Sequence, residues 1–180
     1  MLITYNKLVE LVGRGVVENV EPEQINGASI DVRLGTTLLV EDPNGGKRVR
    51  LDDRKDPLPL MRLPLTSEGY WELHPGAFAL ASTMERFNLP DDIAFEFKLR
   101  SNIARRACNH LLAGWADPGF NNAELTLELK NASQYSMLLL KPGLSIGQLV
   151  FWVGEPVPLS RSYRTVGSFN GQQGPTKVAV

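Results

Sequence analysis

Two glutamates, Glu124 and Glu128, lie four residues apart in the segment AELTLELKN. If this segment is a strand, its side chains alternate, so both glutamates share one face with Thr126 while the leucines share the other. One interpretation is a half-buried strand with a solvated polar face. The other is that one glutamate lines a cleft, because a partly buried carboxyl group has a pKa raised toward neutrality, which suits a general acid or base.

A second group of polar residues lies in the segment LRSNIARRA, where Arg100, Arg105 and Arg106 fall within seven residues. Ser101 and Asn102 follow a predicted strand and are typical helix N-cap residues. A helix N-terminus with arginines beside it is a natural site for anions, above all phosphates. A capped helix with a solvated basic face explains the pattern equally well, so both interpretations stay open.

The turn ADPGF contains a third carboxylate, Asp117, before Pro118 and Gly119. Most aspartates at such positions only support the turn. A carboxylate at this position could also accept a hydrogen bond from a sugar hydroxyl.

Several chemistries are excluded by the residues that the chain has. A zinc deaminase needs a His-x-Glu and a Pro-Cys-x-x-Cys motif, whereas this chain has one cysteine, Cys108, and two histidines, His74 and His110. We expect structural or surface roles for Cys108 and His110. There is no phosphate-binding Gly-x-x-x-x-Gly-Lys motif and no Gly-x-Ser-x-Gly motif. Any catalysis should therefore use carboxylates, hydroxyls, arginines and backbone groups.

Short, alternating strands must position these residues. Residues 4–12 predict a short helix that glycines end, and residues 93–99 alternate apolar and polar side chains. The proline-rich residues 52–65 predict an extended loop or an edge segment. Turn signals recur at short intervals, which indicates an all-β sandwich, jelly roll or barrel.

The composition is typical of one globular domain: 180 residues, 43% of them hydrophobic, with a net charge of -1. This charge predicts no nucleic-acid partner. No apolar run is long enough for a membrane span, no signal peptide is recognisable, and one cysteine permits no internal disulfide, so we expect a cytoplasmic protein. We divide the chain into a β domain, residues 1–159, and a Gly/Ser/Gln-rich tail, residues 160–180. By composition alone, the tail is as well explained by a frayed terminus.

Five segments in order resemble the dCTP deaminase branch of the trimeric dUTPase superfamily: INGASIDVRLG, LRSNIAR, AGWADPGF with LTLEL, PGLSIGQLVF and SFNGQQGPT. The resemblance implies a mainly β fold, a distorted jelly roll or β-clip of the dUTPase type, with a short N-terminal helix. It implies a mobile C-terminal arm that closes over the active site, and a homotrimer with active sites between subunits. The substrates would be dCTP and dUTP, with Mg²⁺ bound through the triphosphate and no protein-bound catalytic metal.

The resemblance also implies roles for individual residues. Glu128 would be the general acid and base of dCTP deamination. Ser101 and the carbonyl of Ala113 would orient the attacking water, Arg105 would stabilise charge on the base, and Asp117 would bind the 3′-hydroxyl of the sugar. Further substrate contacts would come from Arg100, Asn102, Ile103, Ala104, Gly114, Trp115, Thr126, Leu127, Gln148, Tyr163 and Gln172.

This chain departs from the family pattern at several positions. The segment FNNAE is one residue longer than the family's, so a β-bulge must absorb the extra residue if Glu128 is to face the cleft. Ser168 stands where the arm usually has a lysine. Gly114 and Trp115 resemble the residues at these positions in the bifunctional members of the family, which also hydrolyse dUTP to dUMP and pyrophosphate. A plain dUTPase and a catalytically silent nucleotide-binding regulatory trimer remain as alternatives.

Overall fold

The computed structural model describes residues 1–177; the last three residues of the predicted arm lie outside the described residues. The helices are α1 (Tyr5–Gly13), α2 (Ser101–Ala104) and α3 (Tyr163–Val166), with 3₁₀ turns at Pro22–Gln24 and Leu159–Arg161. The strands are β1 (Val17–Glu18), β2 (Ile30–Arg33), β3 (Leu39–Glu41), β4 (Leu60–Arg62), β5 (Trp71–Leu73), β6 (Phe78–Asn88), β7 (Ile93–Leu99), β8 (Cys108–His110), β9 (Trp115–Ala116), β10 (Asn121–Asn131), β11 (Leu138–Leu140) and β12 (Ser145–Val153).

The strands form antiparallel sheets. The largest has the order β4-β3-β6-β10-β8, with β1 also paired to β6. A second has the order β2-β12-β7-β9, and β11 pairs with β5. The prediction of a mainly β chain with a short N-terminal helix is confirmed. The proline-rich segment contains β4, which is an edge strand of the largest sheet, as predicted.

The core lies between the two larger sheets and is rich in aromatic side chains. Phe87 of β6 packs on Phe95 of β7, with ring centroids 4.8 Å apart. Phe95 in turn packs edge-on against Phe151 of β12, at 5.5 Å. All three side chains are fully buried. Such large side chains contribute much of the apolar burial that holds two sheets together.

The pairing of β10 with β6 has a β-bulge within FNNAE, which accommodates one extra residue of β10, Asn122, between Asn121 and Ala123. A second irregularity, between Glu124 and Thr126, instead places additional residues on β6, between Arg86 and Ser82. Asn122 adopts a left-handed conformation, with φ 53°, which asparagine tolerates better than most residues. Beyond these bulges the alternation continues, with the leucines of β10 buried and the polar side chains on the half-buried face. The predicted bulge is therefore present, and Glu128 keeps the same face as Glu124.

The helix at the basic segment differs from its prediction. We expected Ser101 and Asn102 to cap it, but the N-cap residue is Arg100, and no side chain caps the helix. The helix has only four residues: Ser101 is its first helical residue, and Arg105 is its C-cap.

Among residues 1–177, no helix is long and apolar enough to cross a membrane.

Candidate active site

A cavity of about 490 Å³ lies against the polar face of β10. β10 contributes part of its wall, β9 with the loop before it contributes another part, and the segment from α3 to residue 177 covers it. The predicted site residues that line this cavity are Ala113, Trp115, Thr126, Glu128, Tyr163 and Gln172. The cavity thus brings together predicted residues that are up to 59 positions apart in the sequence.

Glu128, which lines the cavity, faces His110 of β8, which does not line it. Oε2 of Glu128 lies 3.2 Å from Nε2 of His110, and neither atom has a hydrogen-bond partner of good geometry among the described residues. The imidazole of His110 is 5% exposed and packs on the ring of Phe97, at 4.7 Å between centroids. A buried polar pair of this kind has functional meaning more often than an exposed one. Sequence reasoning missed this contact of His110.

The two glutamates of β10 have different environments although they share a face. Oε2 of Glu124 accepts a hydrogen bond from the backbone N–H of Gly174, at 2.8 Å. The carbonyl of Glu124 also accepts from Nε2 of Gln172, and its N–H donates to the carbonyl of Gln172. Glu124 therefore holds the C-terminal segment, whereas the carboxylate of Glu128 faces the cavity.

The C-terminal segment is packed along β10 as far as the structure describes it. The side chain of Asn170 accepts from the N–H of Asn121 and donates to the carbonyl of Tyr163. The N–H of Thr176 donates to Oγ1 of Thr126, at 3.2 Å. Oε1 of Gln172 is buried and has no hydrogen-bond partner among the described residues. This packing favours a segment that covers the cavity over a frayed terminus.

Trp115 and Tyr163 line another part of the cavity, and Asp117 lies beside Trp115 without lining the cavity. Nε1 of Trp115 donates to Oδ1 of Asp117, at 2.8 Å. The ring of Tyr163 packs edge-on against Phe120, at 5.6 Å. Burial raises the pKa of the Tyr163 hydroxyl; a hydrogen bond with the backbone of Phe169 opposes this shift, and the negative charge of Asp117 adds to it.

Two glycines allow the chain to approach closely here. The carbonyl of Gly114 accepts from the N–H of Phe97, and a Cβ on Gly114 would lie 2.9 Å from the Cβ of Phe97. Gly119 has φ 89°, and a Cβ there would clash with Oγ of Ser162. A side chain at either position would push β9 or the turn away from its neighbours.

The predicted residues of the basic segment do not line this cavity. Nη1 of Arg100 forms an ion pair with Oδ2 of Asp31, at 2.9 Å, and donates to Oγ of Ser145. Gln148, also predicted to bind substrate, accepts from Oγ of Ser29, at 3.1 Å. The other predicted residues outside the cavity wall are Ser101, Asn102, Ile103, Ala104, Arg105, Gly114, Asp117 and Leu127. Within one chain, the cavity and the basic segment are therefore separate.

Cys108 precedes His110 on β8 and is buried. Burial raises the pKa of its thiol to about 11. Because a nucleophilic or metal-binding cysteine needs the thiolate, this burial agrees with the structural role expected for Cys108.

Comparisons with known proteins identify the family of this chain. A family model described as dCTP deaminase-like matches residues 4–154. A Corynebacterium kroppenstedtii protein named "dCTP deaminase, dUMP-forming" is 36% identical over 160 residues, covering 87% of this chain and 83% of its own. A Thermobifida fusca protein with the same name is 38% identical over 169 residues, covering 91% of this chain and 84% of its own.

A solved structure gives the same fold. The crystal structure of 2′-deoxycytidine 5′-triphosphate deaminase from Agrobacterium tumefaciens superposes with a TM-score of 0.66 at 18% sequence identity. The match covers 85% of this chain and 48% of that one, so this chain spans about half the length of its structural neighbour. The predicted fold class is confirmed.

Proposed function

The chain belongs to the dCTP deaminase-like family, and from this premise we propose that it deaminates dCTP to dUTP and ammonia and then hydrolyses dUTP to dUMP and pyrophosphate. The observation that carries the proposal is the carboxylate of Glu128, which faces a cavity large enough for a ligand. The second reaction is supported by the relatives named dUMP-forming.

In the deamination, Glu128 moves protons between water and the leaving group. Its carboxylate takes a proton from a water held by the carbonyl of Ala113, and the water oxygen bonds to C4 of the cytosine. Glu128 then passes this proton to the exocyclic amine, whose bond to C4 breaks, and ammonia leaves. The second water proton ends on N3 of the uracil ring, so one water is consumed for each ammonia released.

The cavity lacks the positive charge that a triphosphate needs. Lys177 is the one basic residue among the described residues that line it. Arg105 and Ser101 lie on the separate basic segment, where they are exposed. We therefore propose a homotrimer in which this segment of one subunit completes the cavity of the next. A shared site would bring Arg105 to the base and Arg100 to the phosphates, without burying these charges in the free chain.

Magnesium would arrive with the nucleotide, bound to its phosphate oxygens, as part of the substrate. The described residues contain no group of three His, Cys, Asp or Glu side chains placed to hold a metal ion. Asp117 would bind the 3′-hydroxyl of the sugar. In the second reaction, it would also help activate the water that attacks the phosphate. The cytoplasmic location and the mobility of the arm, residues 160–180, stay predictions.

One assay tests the function directly. The protein is incubated with magnesium and either dCTP or dUTP, and ammonia and pyrophosphate are measured. We expect ammonia from dCTP and pyrophosphate from both nucleotides. Pyrophosphate from dUTP alone would show a plain dUTPase, and binding without either product would show a catalytically silent protein.

A further inference from the structure

The indole of Trp115, which lines the cavity, donates a hydrogen bond to the carboxylate of Asp117, which lies beside the cavity. The two residues are two positions apart, on the same side of the chain at the end of β9, and Nε1 of Trp115 lies 2.8 Å from Oδ1 of Asp117. The indole also lines the cavity, although Trp115 is 55% exposed. A bond from an N–H to a charged oxygen is stronger than one between neutral groups.

The other carboxylate oxygen of Asp117 is available to a ligand. Oδ2 accepts no hydrogen bond from any residue between positions 1 and 177. Its carboxylate lies close enough to the hydroxyl of Tyr163, a cavity residue, to act on the pKa of that group. The backbone at Asp117 is held by the turn, since its carbonyl accepts from the N–H of Phe120. The remaining freedom of Asp117 is thus the rotation of its side chain, which Trp115 restricts.

We propose that Trp115 is a positioning residue, which holds the carboxylate of Asp117 so that Oδ2 receives the 3′-hydroxyl of the bound deoxynucleotide. This inference rests on the proposed function, because it takes Asp117 as the group that binds the sugar. Fixing the carboxylate before the substrate arrives removes part of the entropy cost of binding. The indole thereby affects which sugars the site accepts.

Two simpler roles for Trp115 make different predictions. If the indole only forms a wall of the cavity, its truncation weakens the binding of every nucleotide equally. If it only stabilises the turn, truncation lowers the melting temperature and again weakens all nucleotides alike. If Trp115 positions Asp117, its truncation instead changes the ratio of the dissociation constants for nucleotides with and without the 3′-hydroxyl.

The test measures dissociation constants for α,β-imido-dUTP, which resists hydrolysis, and for its 3′-deoxy counterpart. The variants are Trp115→Phe, which keeps an aromatic ring without the N–H, Asp117→Ala and the double variant. Trp152→Phe is the matched control, because Trp152 is 41% exposed and does not line the cavity. Thermal unfolding of each variant checks that it is folded.

We expect the native protein and Trp152→Phe to bind the nucleotide with the 3′-hydroxyl more tightly than its 3′-deoxy counterpart. The ratio of the two dissociation constants should be the same in both proteins. Trp115→Phe should reduce that ratio by about threefold or more, as expected for the loss of one orienting hydrogen bond. Asp117→Ala should abolish the preference, and the double variant should match Asp117→Ala, because Trp115 acts through Asp117.

An unchanged ratio in Trp115→Phe would overturn the inference, as would a native protein without preference for the 3′-hydroxyl. The inference would also be overturned if Asp117→Ala kept some preference for the 3′-hydroxyl and the added Trp115→Phe substitution reduced that preference further. The activity assay is independent of this result. A protein that releases neither product but shows the Trp115-dependent preference would retain the inference and refute the proposed function.

Discussion

At the scale of the residue, Glu124 and Glu128 lie on the same face of one strand but have different environments, so the face alone does not determine what each glutamate does. Both carboxylates emerge from the same side of β10. Glu124 accepts from the backbone of the C-terminal segment, whereas Glu128 faces His110 and the cavity. A carboxylate already bonded within the chain is a poor proton carrier, which supports our proposal that Glu128 is the general acid and base.

We predict that Glu128→Gln lowers ammonia release from dCTP by at least about 100-fold, because the amide cannot accept and return a proton. Glu124→Gln is the matched control on the same face; its amide oxygen can still accept from Gly174, so we expect activity near that of the native protein. Rates of ammonia release from folded variants check both expectations. Native-like rates in Glu128→Gln would refute the assignment.

We also predict a role for His110 in the same reaction. His110→Phe keeps an aromatic ring against Phe97 but places hydrocarbon beside Oε2 of Glu128, which would leave that oxygen without a polar neighbour. We expect ammonia release to fall about tenfold, the size of one lost polar contact to a charged group. His74→Phe is the control, because His74 is exposed outside the cavity. An equal effect of both substitutions on kcat would contradict this role.

At the scale of the element, a buried carboxylate joins β2 to β6. Glu85 is fully buried on β6, and its oxygens accept from the N–H and Nε of Arg33 on β2 and from Nε2 of Gln24. All of these bonds meet good distances, so the charge is compensated. The arrangement fixes β2, and with it the neighbouring β12, relative to the sheet that contains Glu128.

We predict that Glu85→Ala lowers the free energy of unfolding by about 3 kcal/mol, because it leaves Arg33 without its buried partner. Glu96→Ala removes an exposed partner of Lys98 and should cost at most about 1 kcal/mol. Urea titrations of both variants measure the difference. Equal losses in the free energy of unfolding would show that burial of the ion pair between Arg33 and Glu85 adds nothing to stability.

At the scale of the whole molecule, the separation of the basic segment from the cavity bears on assembly. If active sites lie between subunits, Glu128→Gln and Arg105→Ala inactivate different halves of each site. We predict that mixing the two inactive proteins, after unfolding and refolding together, restores about one quarter of native activity, since random trimers then contain that fraction of intact sites. Each variant refolded alone is the control. A mixture as inactive as its components would place each site within one chain.

Much of the fold could be predicted from local pattern. The short helix was predicted at residues 4–12 and is found at Tyr5–Gly13, and the alternation of residues 93–99 forms β7. The shared face of Glu124 and Glu128 also followed from the period of a strand. These features depend on sterics between residues a few positions apart, which a sequence displays directly. The capping role expected of Ser101 was wrong because α2 begins one residue earlier, at an N-cap Arg100 without a side-chain cap.

The sequence by itself determined the strand periodicity, the face that Glu128 shares and the order of motifs that predicted the family. Only the tertiary structure decided that Glu124 bonds to the C-terminal segment, that Glu128 faces His110 and the cavity, and that Arg100 pairs with Asp31. These outcomes depend on contacts between segments far apart in the chain, such as β8, β10 and the C-terminal segment. Packing and bulges in the register set those contacts, and no local pattern encodes them.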